Sequence, residues 1–176
     1  SSALGNSKAW VAAQKLALRQ QAAVVLLVAA VQAAAAPKAV VKMEQKFWNN
    51  RWQTGDTGWH QTEVEPLLIQ HFPKLKPTTV FVPFTGMSLD PSWLLAQGHR
   101  VIGVELVELA CTSFFNANKV EIESKITEGD FTAYRSGKMT LLCGDFFKLK
   151  PEHLSGVTAV YDRAALIALP PDMRTK

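Results

Sequence analysis

Three carboxylates and an arginine stand where an α/β protein does its chemistry: Glu105, Asp145 and the adjacent pair Asp162-Arg163. Each follows a short apolar run: VIGV before Glu105, MTLLC and a glycine before Asp145, and VTAVY before Asp162. Parallel sheets bind ligands at strand carboxyl ends, so these side chains are candidates for one site. An earlier run, TTVFVPF, ends at Phe84 and turns through Thr85-Gly86. Glu105 lies 19 residues after Gly86, which suits an acid that accepts hydrogen bonds from ribose hydroxyls. Asp145, one strand further on, is placed to accept from an adenine amino group. The turn PFTGMSLD has one glycine where a dinucleotide fingerprint has GxGxxG. That favours a nucleoside without phosphates over a pyrophosphate, and it argues against a nicotinamide oxidoreductase.

The elements that position these residues follow from hydrophobic period and punctuation. EQKFWNNRWQ reads as a short helix with Trp48 and Trp52 four apart on one face. Thr62 and Glu65 have capping-box spacing, and Val64, Leu67, Leu68 and Phe72 continue as an amphipathic helix. Strands are expected at 78–84, 101–107, 139–143 and 157–161. Helices are expected at 91–97 and 108–118, and 120–138 reads as polar and irregular. Strands alternating with helices predict an α/β fold with a mostly parallel sheet.

The chain has 176 residues, of which 48% are hydrophobic and 19% charged, enough for one packed domain. Two cysteines, with no HExxH or CxxC spacing, exclude a disulfide framework and leave no metal site to propose. Cys111 and Cys143 both fall in apolar packing positions, not in the setting of a nucleophile. The net charge is +4, and its surplus lies in residues 1–43, where Lys8, Lys15, Arg19, Lys38 and Lys42 meet no acid. The body therefore has no nucleic-acid footprint. The arm is Ala-rich and admits three readings: a helix, a transit or secretory targeting segment, or a membrane anchor. The run Ala22–Val31 is too short to span a bilayer stably, which takes about 20 residues. The expected division is residues 1–43 as an N-terminal helical or targeting extension and residues 44–176 as the functional domain.

FWNNRWQTGDTGWHQTEVEPLL (47–68) resembles the opening of the thiopurine S-methyltransferase family, in particular its bacterial-type branch. VFVPFTGMSLDPSWLLAQGHRVIGVELVE (80–108) is similar to its first strand, turn, helix and second strand. LLCGDFFKL (141–149) and YDRAALIALPPDMR (161–174) are similar to two further blocks, in the same order. The resemblance covers about residues 44–176. It implies a Rossmann-like class I methyltransferase fold, represented by its first four strands, that uses S-adenosyl-L-methionine. The implied acceptor is a small-molecule thiol or a related selenium, tellurium or halide nucleophile. By the same resemblance Trp48 and Trp52 wall the cofactor, and Phe84, with Gly86 kept in its turn, lies against it. Glu105 binds the ribose, Asp145 and Phe146 the adenine, and Arg163 faces cofactor and acceptor. Trp59 and His60 line the acceptor pocket.

Elementary chemistry agrees with several of these roles. A sulfonium is attracted to aromatic faces by about 0.5–2 kcal/mol, so two tryptophans on one helix face suit a lid. Methyl transfer to a thiolate needs a positioned nucleophile more than a strong base. Arg163 is expected to hold the sulfur as thiolate, with Asp162 accepting its proton or orienting Arg163. His60 reads as a hydrogen-bonding scaffold. Thr85 and Met87 replace the Cys and Lys that the family carries around Gly86. The family continues with three more strands, so the chain is expected to be a fragment whose last strand is an open apolar edge. Further expectations are a monomer when full length and a cytoplasmic location, with organelle or secretory targeting as the alternative. The rival reading is a catalytically inactive cofactor-binding or interaction module of the same fold.

Overall fold

A computed structural model describes residues 27–28, 45–72 and 75–174. The extension 1–43 lies outside the described residues except at Leu27–Val28. In chain order the elements are β1 (Leu27–Val28), α1 (Gln45–Thr54), α2 (Pro66–His71), β2 (Thr79–Pro83) and α3 (Asp90–Ala96). There follow β3 (Arg100–Glu105), α4 (Glu108–Ala117), β4 (Ser124–Glu128), β5 (Phe131–Ser136), β6 (Met139–Cys143), β7 (Val157–Asp162) and α5 (Ala165–Ala168). Two 3₁₀ turns, Phe146–Lys148 and Pro151–Leu154, lie between β6 and β7.

The strands form one sheet in the order β1-β7-β2-β3-β6-β5-β4. β1, β7, β2, β3 and β6 run parallel, and β5 and β4 continue the sheet antiparallel. β3 lies on one side of β2 and β7 on the other, so the order reverses at β2. That switch point opens a crevice at the carboxyl ends, where the sequence places its candidate residues. This is the expected Rossmann-like sheet.

Alternation along the strands makes two cores. Val80 and Val82 join Leu68, Phe72, Leu94 and Phe114 on the face that carries α2, α3 and α4. Phe81, between them, points to the opposite face with Ile102, Val104, Phe146 and Leu154. Leu68, Phe72 and Phe114 are fully buried, and each contributes roughly 1.5–3 kcal/mol of apolar burial.

Three expectations change. The irregular stretch 120–138 contains two antiparallel strands instead. Gly129-Asp130 and Gly137-Lys138 each close a two-residue hairpin, with Gly129 at φ 59° and Gly137 at φ 52°. Glycine supplies the positive φ that such tight turns need. The capping box at Thr62 gives way to Glu65, whose side chain accepts from Leu67 N at 3.3 Å while Pro66 opens α2. Proline at the first turn needs no N–H partner and sets the start. The edge of β7 is also not open along its whole length, because Leu27 and Val28 pair in parallel with Tyr161 and Asp162. Unpaired backbone groups at a strand edge favour such a partner.

Candidate functional site

The turn after β2 is conformationally unusual. Phe84 has φ 48° and Gly86 φ 53°. A positive φ costs a residue with a Cβ about 1–2 kcal/mol, so the fold holds Phe84 there against a local preference. Thr85 extends the pairing with its N–H to Val104 O at 3.1 Å, and its buried hydroxyl donates to Val82 O at 3.0 Å. Gly86 N then donates to Glu105 Oε2 at 3.0 Å. The other oxygen of Glu105 accepts from Leu106 N at 2.7 Å and Val107 N at 3.4 Å. Burial pushes the Glu105 carboxyl above its ordinary pKa, and the three backbone N–H groups oppose that shift.

At the end of β6, Asp145 accepts from Phe147 N at 2.9 Å through Oδ1 and so starts the 3₁₀ turn. Phe146 packs into the second core, stacked on Phe81 at 6.3 Å and edge-on to Phe84 at 5.2 Å.

An aromatic wall stands above this floor. Trp48 and Trp52 on α1 both meet Trp59 edge-on, at 5.5 and 6.5 Å between ring centroids. His60 packs on Trp52 at 5.1 Å. Arg51 lies over the Trp59 ring at 4.9 Å and pairs with Asp56 at 3.0 Å, which ties the 55–60 loop to α1. His60 Nε2 accepts from Met87 N at 3.2 Å. Burial, and then the charge of Arg163, lower the His60 pKa, so the ring is neutral and its proton sits on Nδ1. That Nδ1 is buried and has no partner among the described residues.

Arg163, after β7, forms an ion pair with Asp90, Nε to Oδ2 at 3.0 Å, and donates from Nη2 to Ser88 Oγ at 3.3 Å. Asp162 does not hold it. Both Asp162 oxygens accept backbone N–H groups of α5, Ala165 at 2.7 Å and Leu166 at 3.2 Å. The expectation that Asp162 orients Arg163 is therefore corrected in favour of Asp90. Ala164, at φ 66°, makes the turn between them.

These parts enclose one cavity of about 520 Å³. Trp48, Trp52, Trp59 and His60 line it together with Phe84, Gly86, Glu105, Asp145, Phe146 and Arg163. Of the residues that the sequence singles out, only Asp162 is off its lining. The sequence did not single out Asp90, Ser88 and Tyr161, which secure Arg163. An acid in a helix's first turn is ordinary, and no local signal marks Asp90 as a partner of a residue 73 positions on. Among the described residues no group of His, Cys, Asp and Glu is arranged to hold a metal, and no helix is long and apolar enough to cross a membrane.

Sheet order and site together define a Rossmann-like methyltransferase fold. The family model for thiopurine S-methyltransferase matches residues 43–176. The chain belongs to the thiopurine S-methyltransferase family. It is 45% identical over 138 residues to a thiopurine S-methyltransferase of Pseudomonas fluorescens (strain Pf0-1), covering 76% of this chain and 63% of that protein. It is 43% identical over 140 residues to a probable thiopurine S-methyltransferase of Yarrowia lipolytica, covering 76% and 65%. A Xanthomonas axonopodis pv. citri thiopurine S-methyltransferase is 45% identical over 137 residues, covering 76% and 62%. The chain thus spans a little under two thirds of the length of these curated relatives.

Proposed function

We propose that this chain carries the cofactor-binding part of an S-adenosyl-L-methionine-dependent methyltransferase whose acceptor is a small thiol or a related soft nucleophile. The carrying observation is the cavity itself, lined by three tryptophans, by Glu105 with its carboxylate organised by backbone N–H groups, and by Arg163. Its volume lies in the range that small-ligand sites occupy, about 300–1,000 Å³. The lining suits an adenosyl sulfonium. Aromatic faces attract the cation, Glu105 suits the ribose hydroxyls, and Asp145 with Phe146 suits the adenine. The orphaned Nδ1 proton of His60 is a donor awaiting an acceptor. When bound, S-adenosyl-L-methionine supplies an electrophilic methyl group.

The chain's own residues do the rest. Arg163 offers donors that stabilise the acceptor sulfur as thiolate, which is the better nucleophile. His60 is neutral and its Nε2 is occupied by Met87 N, so it positions and does not act as general base. The positive surplus of the chain lies in residues 1–43, which supports a small-molecule acceptor over a nucleic acid. The reading includes a monomer in the cytoplasm.

Calorimetric titration with S-adenosylhomocysteine, with NADH as control, tests the cofactor. Saturable binding of the first alone is expected. A folded protein that binds neither would sink the methyltransferase reading and leave an interaction module. Transfer of a labelled methyl group to a panel of thiols then tests the reaction.

A further inference from the structure

Asp90 lies on the first turn of α3, far in sequence from the residue it holds. It is 1% exposed, and both its oxygens are engaged. Oδ1 accepts from Glu65 N at 2.9 Å. Oδ2 accepts from Tyr161 OH at 2.9 Å and pairs with the charge of Arg163, whose Nε lies at 3.0 Å. Burial, and then the Asp90 charge, push the Tyr161 phenol up, which keeps it a donor. The Asp90 backbone N–H and Arg163 Nη2 meet at Ser88 Oγ, at 3.2 and 3.3 Å. Arg163 is therefore held by its ion pair at Nε and its hydrogen bond from Nη2, and among the described residues its other N–H groups make no hydrogen bond. Arg163 lines the cavity and Asp90 does not.

Asp90 also ties down the aromatic loop. Met87 N holds His60 Nε2, and Asp90 Oδ1 holds Glu65 N. The 60–65 segment is thus pinned at both ends to the 87–90 turn that fixes the arginine. One carboxylate sets the distance between the aromatic wall and the guanidinium.

We infer that Asp90 is the positioning residue for Arg163 and for the facing loop, so that it governs acceptor alignment while touching no ligand. This rests on the methyltransferase reading for its catalytic consequence, but not for the link itself. An ion pair whose side chains are 12% and 2% exposed screens the Nε edge from solvent, and one misplaced group in a transfer site costs rate through orientation.

The test has two arms. In the ¹⁵N-labelled full chain, the Nε–H signal missing from Arg163→Lys identifies Arg163. Expected is slower exchange with water for this signal than for the Nε–H of exposed Arg100 and Arg135, with the difference lost in Asp90→Asn. Exchange as fast as that of exposed Arg135 or Arg100 would overturn the inference, even if Asp90→Asn did not fold. In the second arm, Asp90→Asn is expected to lower acceptor kcat/KM by roughly 10- to 100-fold, with S-adenosylhomocysteine Kd changed less than about threefold. Asp90→Asn combined with Arg163→Lys is expected to lose clearly less than the product of the two single losses, since much of the Asp90 effect passes through the arginine. Losses that multiply would overturn it. If the wild-type chain transfers no methyl group while the Arg163 signal is protected, the methyltransferase reading fails and the Asp90–Arg163 link stands.

Discussion

Gly86 N–H donates to Glu105 Oε2 at 3.0 Å, so the turn after β2 and the last residue of β3 form one rigid floor. Glu105 spends its two oxygens on three backbone donors and still lines the cavity. A carboxylate fixed in this way is pre-organised for a ligand hydroxyl. Glu105→Ala is expected to weaken S-adenosylhomocysteine binding by more than about 1 kcal/mol, roughly fivefold in Kd. Calorimetry reads this directly, and an unchanged Kd removes Glu105 from the site.

Gly86 itself admits no side chain. Its φ is 53°, and a Cβ there would stand 2.9 Å from His60 Nε2. Gly86→Ala is expected to cost about 1–2 kcal/mol from backbone strain and to displace His60 from Met87 N. Denaturant unfolding measures the first effect. A stability equal to wild type would show that the turn relaxes freely.

The tryptophans divide between structure and binding. Trp52 is 8% exposed and Trp59 40%. Trp52→Ala is expected to destabilise the chain by about 3 kcal/mol or more, as large-to-small core changes do. Trp59→Ala is expected to leave stability nearly unchanged and to weaken binding of a sulfonium ligand by about 0.5–2 kcal/mol. Thermal melts and titrations on the two variants separate the effects, and reversed rankings would contradict the burial pattern.

Acid lowers stability through His60. Its folded pKa is below the ordinary 6.5, because burial and Arg163 disfavour the cation. The unfolded chain therefore binds the proton first, and stability falls as pH drops through 6.5 toward the folded pKa. His99, which accepts from Thr78 N and is shifted downward by burial, adds in the same sense. His60→Gln is expected to lose less stability than wild type between about pH 7 and 5. Parallel melting curves in that range would exclude His60 as a contributor.

How much of this was legible in the sequence varies by element. The expected strand 139–143 matches β6 at its observed bounds, Met139–Cys143, because Met139, Leu141 and Leu142 are buried in a short run that Gly137 and Gly144 bracket. The β4–β5 hairpin was missed because its outer strand is polar, with most of Ser124–Glu128 exposed. Period gives little signal where only one face of one strand is buried. The two Gly-X turns were its readable trace. Glu105 and Asp145 were legible because strand ends can be counted along the chain.

Sequence alone therefore determined the run of parallel strands, the carboxyl ends that carry the chemistry and the aromatic residues beside them. These rest on local pattern: side chains alternate or repeat with the period of the element that contains them. Only the tertiary structure decided which carboxylate serves Arg163. Asp162 is its neighbour in the chain, but the turn at Ala164 aims Asp162 at the α5 backbone. Asp90 reaches Arg163 because β7 returns to lie beside β2, and that adjacency is set by packing across the sheet, which no local window contains.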